Sequence, residues 1–268
     1  MVKLLAVDMD GTCLTSKKKI SERTMSALKQ AADKGIIVVP ITGRSLDCLP
    51  RQLINESFYR YVILSNGARI FDVKSKKTLY STLIPKKTAI SLLMEGKKYG
   101  LGLTAHVKNK NIIEGTSLYL KGRLLYKKDA KDAIKTKNIV NTIKDLNGDV
   151  EEIQLFFFNE KAEKNTRKIV RENPDFSASF GRIYVEMYNK ATSKGVALRT
   201  LADILGISKS EIMSIGNGEN DLTMFEESGI KIAVDNAELC LKAKADLIVS
   251  SNNADGVAEA IEKFCLNV

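Results

Sequence analysis

The chain has 268 residues, of which 44% are hydrophobic and 28% are charged, and it carries a formal net charge of +10. This size and composition are typical of a globular protein with one large domain or two smaller ones. They exclude a membrane-spanning protein, because no apolar run approaches the ~20 residues that a transmembrane helix needs.

The positive charge is concentrated in the middle of the chain. Residues 85–190 contain 21 Lys and Arg against 13 Asp and Glu, so most of the net charge lies there. The segment has no nucleic-acid-binding motif, and a lysine-rich surface in contact with water explains the excess without any partner. The alternative is that the charge attracts anionic, phosphorylated small molecules. We therefore expect a small-molecule partner rather than nucleic acid or a membrane.

The cysteines and the single histidine limit the chemistry. Cys13, Cys48, Cys240 and Cys265 lie far apart and form no metal-type pair. We expect no signal peptide and a cytoplasmic protein with reduced thiols, in which Cys13 is either reactive or a small buried side chain. A lone histidine, His106, excludes any mechanism that needs two, and we expect it to be structural.

Strands and helices alternate over the first 82 residues. The predicted elements are strand Leu4–Val7, a helix from Ser21 to Gly35, strand Ile36–Ile41 broken at Pro40, a helix from Leu46 to Asn55, strand Tyr61–Leu64, and a hairpin of Arg69–Phe71 with Thr78–Ser81. A βαβαβ alternation implies a parallel, doubly wound, Rossmann-like sheet with right-handed crossovers.

A different pattern begins at Pro85, where helices mix with short strands. The predicted elements are helices Lys86–Tyr99, Ala130–Leu146 and Glu160–Glu172, strands Leu103–Val107, Ile112–Ile113 and Ile153–Phe158, and a hairpin of Phe176–Phe180 with Ile183–Tyr188. This mixture predicts an α+β domain over residues 83–189, inserted into an α/β core domain of residues 1–82 and 190–268.

The alternating pattern returns after Lys190. The predicted elements are a helix from Ser193 to Leu205, strand Ile212–Ile215, a helix that runs to Ser228, strand Ile230–Val234, a helix near Leu239, strand Leu247–Val249 and a helix over Gly256–Phe264. These elements complete the core domain.

Two carboxylates, Asp8 and Asp10, follow the first strand two residues apart. Open α/β sheets bind ligands beyond the carboxyl ends of their strands, where this pair is expected to lie. Close carboxylates repel each other unless a cation or a shared proton neutralises them, and Mg²⁺ prefers such oxygen ligands. The alternative is that the two residues only cap the strand and begin a turn.

Four segments in order resemble the motifs of the haloacid dehalogenase (HAD) superfamily of phosphatases: Asp8-Met9-Asp10-Gly11-Thr12, Thr42-Gly43-Arg44, Lys194-Gly195 and the stretch from Gly216 to Asp221. The inserted domain, Ser65-Asn66-Gly67-Ala68 and Asp255-Gly256-Val257-Ala258 are similar to the Cof-type, sugar-phosphatase-like branch. The resemblance implies a Mg²⁺-dependent phosphatase of small phosphorylated metabolites, sugar phosphates above all, that works through an aspartyl-phosphate. It also implies that the inserted domain is a cap.

The resemblance assigns catalytic and metal-binding roles to the first and last segments. Asp8 is the expected nucleophile, and Asp10 the expected general acid and base. The expected Mg²⁺ ligands are Asp8, the main-chain carbonyl of Asp10 and the side chain at position 217, with Asp221 orienting the metal shell.

The resemblance also implies a set of phosphate-binding groups. They are the backbone amides around Met9 and Asp10, the Thr42 hydroxyl, the Gly43 amide, the Lys194 ammonium and the Asn220 amide. Arg44 either contacts the phosphate or substrate or braces a helix. The cap residues that contact the leaving group are not assigned, and His106, Lys108 and Tyr188 are candidates.

One position departs from the family pattern. The family pattern is usually Gly-Asp where this chain has Gly216-Asn217, and the resemblance implies that this Asp is normally the third protein ligand to the metal. Asn coordinates through its amide oxygen but adds no negative charge, so Mg²⁺ affinity is expected to fall. The alternatives are a working enzyme with weaker metal binding, an engineered trap, and a protein without activity. A phosphosugar mutase and a phosphometabolite-binding regulatory protein are the other candidate functions.

Overall fold

The polypeptide folds into two units, and the computed structural model describes residues 1–54 and 56–266 of it. The first unit contains the described residues of Met1–Thr42, Gln52–Ser81 and Ser193–Val268. The second contains Gly43–Arg51 and Thr82–Thr192. Within the described residues, no helix is both long enough and apolar enough to cross a membrane.

Eight strands form the sheet of the first unit. Numbered along the whole chain, they are β1 (Leu4–Asp8), β2 (Ile37–Ile41), β3 (Tyr61–Leu64), β4 (Arg69–Asp72), β5 (Lys77–Ser81), β12 (Ile212–Gly216), β13 (Ile230–Val234) and β14 (Leu247–Val249). Their order across the sheet is β14-β13-β12-β1-β2-β3-β4-β5, with parallel pairing from β14 to β3 and antiparallel pairing of β4 and β5. The predicted α/β sheet is thus confirmed, and the chain changes its direction of travel across the sheet at β1.

Helices connect the strands of this unit. They are α1 (Glu22–Asp33), α6 (Lys194–Leu205), α7 (Leu222–Glu226), α8 (Leu239–Lys242) and α9 (Gly256–Ile261), which a π-helical turn over Glu262–Leu266 extends. The side chains of Ser21 and Ser193 accept hydrogen bonds from backbone N–H groups in the first turns of α1 and α6, so both are N-caps, and both helices begin where the sequence predicts.

The second unit is built on a six-stranded sheet. Its strands are β6 (Gly102–Val107), β7 (Lys110–Glu114), β8 (Ile134–Thr136), β9 (Val150–Phe156), β10 (Phe176–Phe180) and β11 (Tyr184–Asn189), in the order β10-β11-β9-β6-β7-β8. Its helices are α2 (Lys86–Lys98), α3 (Thr116–Tyr126), α4 (Ile139–Asp145) and α5 (Glu160–Glu172). The pairing is antiparallel except between β7 and β8, so the unit is α+β in character.

The two faces of this second sheet differ in polarity, because side chains alternate along a strand. Apolar side chains on one face enter the hydrophobic core of the unit, among them Leu103, Ile153 and Met187. The other face carries polar residues in register across β6, β9 and β11. These rows are Thr104, Gln154 and Glu186, and next to them His106, Glu152 and Tyr188.

The helix predicted from Leu46 to Asn55 is wrong. Two short 3₁₀ turns stand in its place, at Leu46–Cys48 and Arg51–Leu53, while Asn55 lies outside the described residues. Pro50 explains the interruption, because it lacks an N–H and disfavours helical geometry in the residue before it. That residue, Leu49, has an extended backbone.

The helix predicted over Ala130–Leu146 is also wrong in its first half. Strand β8 and a turn precede α4, and α3 lies earlier in a segment for which no element was predicted. No residue of α3 is buried, so it lacks the apolar periodicity that makes a helix visible in sequence.

Pro40 does not break the second strand. It pairs in register with Val7 of β1, and on the other side β2 pairs with β3 at Ile41. The missing N–H of Pro40 is therefore tolerated within the strand.

The compact units differ from the predicted boundaries by a few residues, at 82 and 190–192, and by one internal segment. Residues 43–51 were assigned to the core domain but group with the second unit. The contacts explain this, since the Asp47 carboxylate accepts a hydrogen bond from the Asn111 N–H and the Arg51 guanidinium pairs with Asp132 at 2.6 Å.

Gly195 allows the start of α6 to pack directly on the first turn of α7. A Cβ on Gly195 would overlap the Thr223 carbonyl oxygen, while the Gly195 N–H donates to Thr223 Oγ1 at 3.0 Å. We expect Gly195→Ala to lower the free energy of unfolding of the first unit by about 1–3 kcal/mol, the usual cost of overpacking. Urea unfolding measures this.

Gly122→Ala is the matched control for that substitution. Gly122 is also helical, but its added Cβ would meet Ile113 at an ordinary 3.8 Å. We expect this variant to be unchanged or slightly more stable, because Ala has the higher helix propensity. A Gly195→Ala variant as stable as the parent would contradict the assigned packing.

Candidate active site

A buried lysine between two buried carboxylates lies at the centre of the first unit. Lys194 Nζ is 2.7 Å from Asp8 Oδ1 and 2.6 Å from Asp221 Oδ1. All three residues are 4% exposed or less. Two carboxylates and one ammonium give this cluster one formal negative charge in excess.

The fold brings these three residues together from distant parts of the sequence. Asp8 is the last residue of β1, and Asp221 follows β12, the parallel neighbour of β1. Lys194 is the first residue of α6, directly after its N-cap Ser193. Carboxyl ends of adjacent parallel strands meet at one edge of the sheet, which is the usual ligand-binding edge of such folds.

The protonation of the cluster follows from its burial. Burial, followed by the neighbouring Asp221 carboxylate, raises the pKa of Asp8 to about 7, although Lys194 opposes the change. Burial alone would lower the pKa of Lys194, but Asp221 and Asp8 outweigh it and raise this pKa. The lysine therefore stays charged, and Asp8 is a carboxylate that further positive charge would stabilise.

Asp221 fixes the loop after β12 as well as the lysine. Its Oδ2 accepts hydrogen bonds from the backbone N–H groups of Asn217 at 2.8 Å and Gly218 at 3.0 Å. With Oδ1 on Lys194, both oxygens of this carboxylate have partners. This geometry suits an orienting residue.

The loop after β1 turns back on itself and presents the Asp8–Asp10 segment. The Cys13 N–H donates to the Asp8 carbonyl at 3.1 Å, and the Leu14 N–H donates to the Met9 carbonyl at 2.8 Å. Gly11 provides the turn with a φ of +88°, a conformation that glycine adopts without strain.

The side-chain amide of Asn217 lies against this loop. One of its terminal atoms is 3.0 Å from Asp8 Oδ2, 3.1 Å from the Asp10 carbonyl oxygen and 2.8 Å from Thr12 Oγ1. The first two neighbours are acceptors, so the hydrogen bonds are satisfied when this atom is the amide nitrogen.

The same donor set fits Mg²⁺ if the amide presents its oxygen instead. A carboxylate, a main-chain carbonyl and an amide oxygen are all hard ligands of the type that Mg²⁺ prefers. Among residues 1–54 and 56–266, no group of three or more His, Cys, Asp or Glu side chains is arranged to hold a metal. At this site the third oxygen ligand, besides the Asp8 carboxylate and the Asp10 carbonyl, would come from the amide of Asn217.

Asp10 forms an ion pair with a residue that the sequence did not single out. Lys18 Nζ is 2.7 Å from Asp10 Oδ1, and both side chains are about one-third exposed. The pair holds the Asp10 side chain within the first unit. The sequence offered no motif signal for Lys18, which lies in the turn between β1 and α1.

Asn220 contacts a second residue that was not predicted to belong to the site. Its Nδ2 donates to Asn66 Oδ1 at 3.0 Å. Asn66 is fully buried in the turn after β3 and has a left-handed backbone, with φ of +52°. The unusual Ser65-Asn66-Gly67-Ala68 segment was the signal that could have identified it.

The predicted Thr42-Gly43-Arg44 motif is divided between the two units. Thr42 is buried in the first unit after β2, and its carbonyl accepts from the Asn66 N–H. Gly43 and Arg44 belong to the second unit, where the Arg44 guanidinium pairs with Asp129 at 3.0 Å, contacts the Cys48 carbonyl and lies over the Tyr126 ring. These contacts fix the guanidinium within the second unit, and both roles considered for Arg44 stay predictions.

Two further candidates have environments that disfavour chemistry. Burial, with the charge of Asp8, raises the pKa of the Cys13 thiol to about 12, so this thiol is a buried packing group. Burial lowers the pKa of His106 to about 3, and the side chain lies on the polar face of the second sheet.

Comparisons with known proteins find relatives that match nearly the whole chain. A family model described as haloacid dehalogenase-like hydrolase matches residues 5–261. A 5-amino-6-(5-phospho-D-ribitylamino)uracil phosphatase from Bacillus subtilis is 28% identical over 98% of each chain, and a phosphoglycolate phosphatase from Methanobrevibacter smithii is 27% identical over 99% of each. A haloacid dehalogenase-like hydrolase structure from Bacteroides thetaiotaomicron matches with a TM-score of 0.86 and 26% identity, covering 98% of this chain and 99% of the other.

The buried ion cluster predicts a stability effect that is separate from activity. We expect Lys194→Ala to lower the free energy of unfolding by about 3–5 kcal/mol at pH 7, because two buried carboxylates lose their counter-charge. The loss should be smaller at pH 5, because Asp8, whose pKa burial raises to about 7, takes up a proton there and no longer needs the counter-charge. Urea unfolding at both pH values measures it.

Two further variants control this experiment. Lys209→Ala removes an exposed lysine and should leave stability unchanged. Lys194→Ala combined with Asp221→Asn should be less unstable than the sum of the two single changes, since they share one interaction. Additive losses would mean that Lys194 and Asp221 are not energetically coupled.

Proposed function

Because this chain belongs to the haloacid dehalogenase-like hydrolase family, in its Cof-type branch, and is a phosphatase, we propose that it hydrolyses small phosphomonoesters through an aspartyl-phosphate on Asp8. Sugar phosphates are the proposed substrates, and Mg²⁺ is the proposed cofactor. The observation that carries the proposal is the placement of Lys194 between Asp8 and Asp221 at the ligand-binding edge of the sheet.

In the first proposed step, an Asp8 carboxylate oxygen attacks the phosphorus atom of the substrate. A new O–P bond forms while the bond to the leaving alkoxide oxygen breaks, and a protonated Asp10 donates its proton to that oxygen. The Lys194 ammonium holds Asp8 and offsets negative charge on the transferring group. Asp10 must separate from Lys18 before it can act.

In the second proposed step, the Asp10 carboxylate accepts a proton from water as that water attacks the phosphorus. The Asp8–phosphorus bond then breaks, which releases inorganic phosphate and restores both carboxyl groups. Mg²⁺, held by Asp8, the Asp10 carbonyl and Asn217, would supply positive charge to the phosphoryl oxygens when bound. The Thr42 hydroxyl, the backbone amides at Met9 and Gly43, and the Asn220 amide are the proposed phosphate contacts.

We propose that the second unit is the cap and that the polar face of its sheet binds the leaving group. Gln154 Nε2 donates to Glu152 Oε1 at 2.9 Å, and the Thr104 hydroxyl donates to Gln154 Oε1 at 3.0 Å. Such a face has donors and acceptors for hydroxyl groups. Its carboxyl groups, Glu152 and Glu186, would repel an anionic leaving group.

The proposal includes a cytoplasmic location, which the cysteines support. Cys13, Cys48 and Cys265 are buried free thiols, and the exposed Cys240 is also free. Free thiols are the usual state of cysteines in a reducing compartment.

A regulatory protein that binds a phosphometabolite without turnover is the second candidate function. Asn217 favours it, because the amide gives the metal site less negative charge than an Asp would. Phosphate release from a panel of phosphomonoesters, with and without Mg²⁺, distinguishes the two candidates.

We expect Asp8→Asn to abolish phosphate release, because an amide is not an anionic nucleophile. Asp33→Asn, which changes an exposed aspartate at the end of α1, should keep the parent activity. Phosphate release by Asp8→Asn within a few-fold of the parent would exclude Asp8 as the nucleophile. A malachite-green phosphate assay at saturating Mg²⁺ measures both variants.

The polar face of the cap sheet predicts substrate preference. We expect kcat/KM for polyol and sugar monophosphates to exceed that for phosphoglycolate by about 10-fold or more, the scale of one unfavourable charge contact. Glu186→Gln should reduce this difference by raising kcat/KM for phosphoglycolate. Equal rates for both substrate classes in the parent would contradict the proposed role of this face.

A further inference from the structure

Asn217 lies where it can serve the site in two orientations. We propose that its amide nitrogen bridges the Asp8 carboxylate and the Asp10 carbonyl when no cation is bound, and that a half-turn of the same amide presents its oxygen to Mg²⁺. The inference rests on the proposed function only in taking Mg²⁺ as the cation. It concerns the resting state of the site, which the proposed function leaves open.

One terminal atom of the Asn217 amide faces two hydrogen-bond acceptors. Asp8 Oδ2 at 3.0 Å and the Asp10 carbonyl at 3.1 Å have no proton to donate when Asp8 is ionised. An oxygen at this position would face two other acceptors at close range. The NH₂ group has two hydrogens, one for each of them, and the nearby Thr12 hydroxyl is free to act as donor or acceptor.

The Asn217 amide fits closely against the loop after β1. A Cβ on Gly11 would lie 2.6 Å from the other terminal atom of the Asn217 amide. Gly11 therefore leaves the space in which either the oxygen or the nitrogen can lie. The Asn217 backbone is fixed separately, because its N–H donates to Asp221 Oδ2. A half-turn of the amide thus needs no movement of the loop.

The net charge of the buried cluster favours an amide over a carboxylate at position 217. With Asn217, the cluster of Asp8, Asp221 and Lys194 has one excess negative charge, and a carboxylate at position 217 would make it two. That second charge would lie within about 3 Å of Asp8 in a buried site, where like charges repel strongly. The amide instead adds two hydrogen bonds, so the site does not need a cation to be stable.

This arrangement has a measurable consequence for metal binding. The two amide hydrogen bonds must break before the amide oxygen can bind Mg²⁺. In addition, the site carries one negative charge less than it would with an Asp at position 217, so it attracts Mg²⁺ less strongly. A cation that binds only the folded state stabilises a protein by RT ln(1 + L/Kd), where L is the cation concentration and Kd its dissociation constant, so weak binding gives little stabilisation. The parent protein should therefore depend little on Mg²⁺ for stability.

The test compares the melting temperatures of the parent, Asn217→Asp and Asn217→Ala, with EDTA and with Mg²⁺. In EDTA, we expect both variants to melt below the parent, the first through repulsion and the second through loss of the bridge. Mg²⁺ should raise the melting temperature of Asn217→Asp more than that of the parent, and calorimetry should show at least a 10-fold tighter Mg²⁺ affinity for Asn217→Asp. Asn141→Asp adds the same charge on an exposed residue of α4 and should match the parent.

Three results would overturn the inference. One is an Asn217→Ala variant as stable as the parent in EDTA, which would mean that the amide bridges nothing. Another is an equal Mg²⁺ response of the parent and Asn217→Asp. The third is the absence of any Mg²⁺ response in both. None of these readouts uses catalysis, so failure here is distinct from failure of the phosphatase proposal, which the Asp8→Asn assay tests.

Discussion

The ion cluster of Lys194 with Asp8 and Asp221 is the interaction on which the rest of the site depends. A buried ammonium is costly unless carboxylates surround it, and a buried carboxylate is costly without a counter-charge. Each partner comes from a different element, so the cluster forms only when β1, α6 and the loop after β12 are all in place. The geometry of the site therefore depends on correct folding of the first unit, and the ion pairs of the cluster in turn stabilise that fold.

The backbone around the cluster shows how closely these elements must approach. Gly67 has a positive φ, and a side chain there would overlap the Ser193 carbonyl at the N-cap of α6. Gly195 packs on Thr223 in the same way. These glycines allow the turn after β3 and the first turn of α7 to contact the start of α6. The position of Lys194 thus depends on residues that have no chemical function of their own.

The sequence predicted the parts of the site that follow strand ends and helix starts. Asp8, Lys194 and Asp221 could be located because their neighbours show strand or helix patterns and because family motifs mark them. Lys18 carries no motif signal, and the segment that contains Asn66 indicates the family branch but not its contact with Asn220. The contacts of both residues depend on how loops fold back. Prediction of the fold is limited in the same way, because some of its segments also take their shape from tertiary contacts.

Long amphipathic elements such as α1, α5 and α6 were predicted correctly, since burial of one face gives them a periodic pattern. Segments whose shape depends on tertiary contacts were not, and α3 is the clearest case. Position 217 has both a motif that the sequence shows and contacts that only the folded structure shows. Its motif predicts a metal-ligand position, but only the distances to Asp8 and to the Asp10 carbonyl reveal that an amide there has hydrogen-bond partners of its own. A substitution that looks only like a loss of charge in sequence is therefore, in three dimensions, also a gain of two hydrogen bonds.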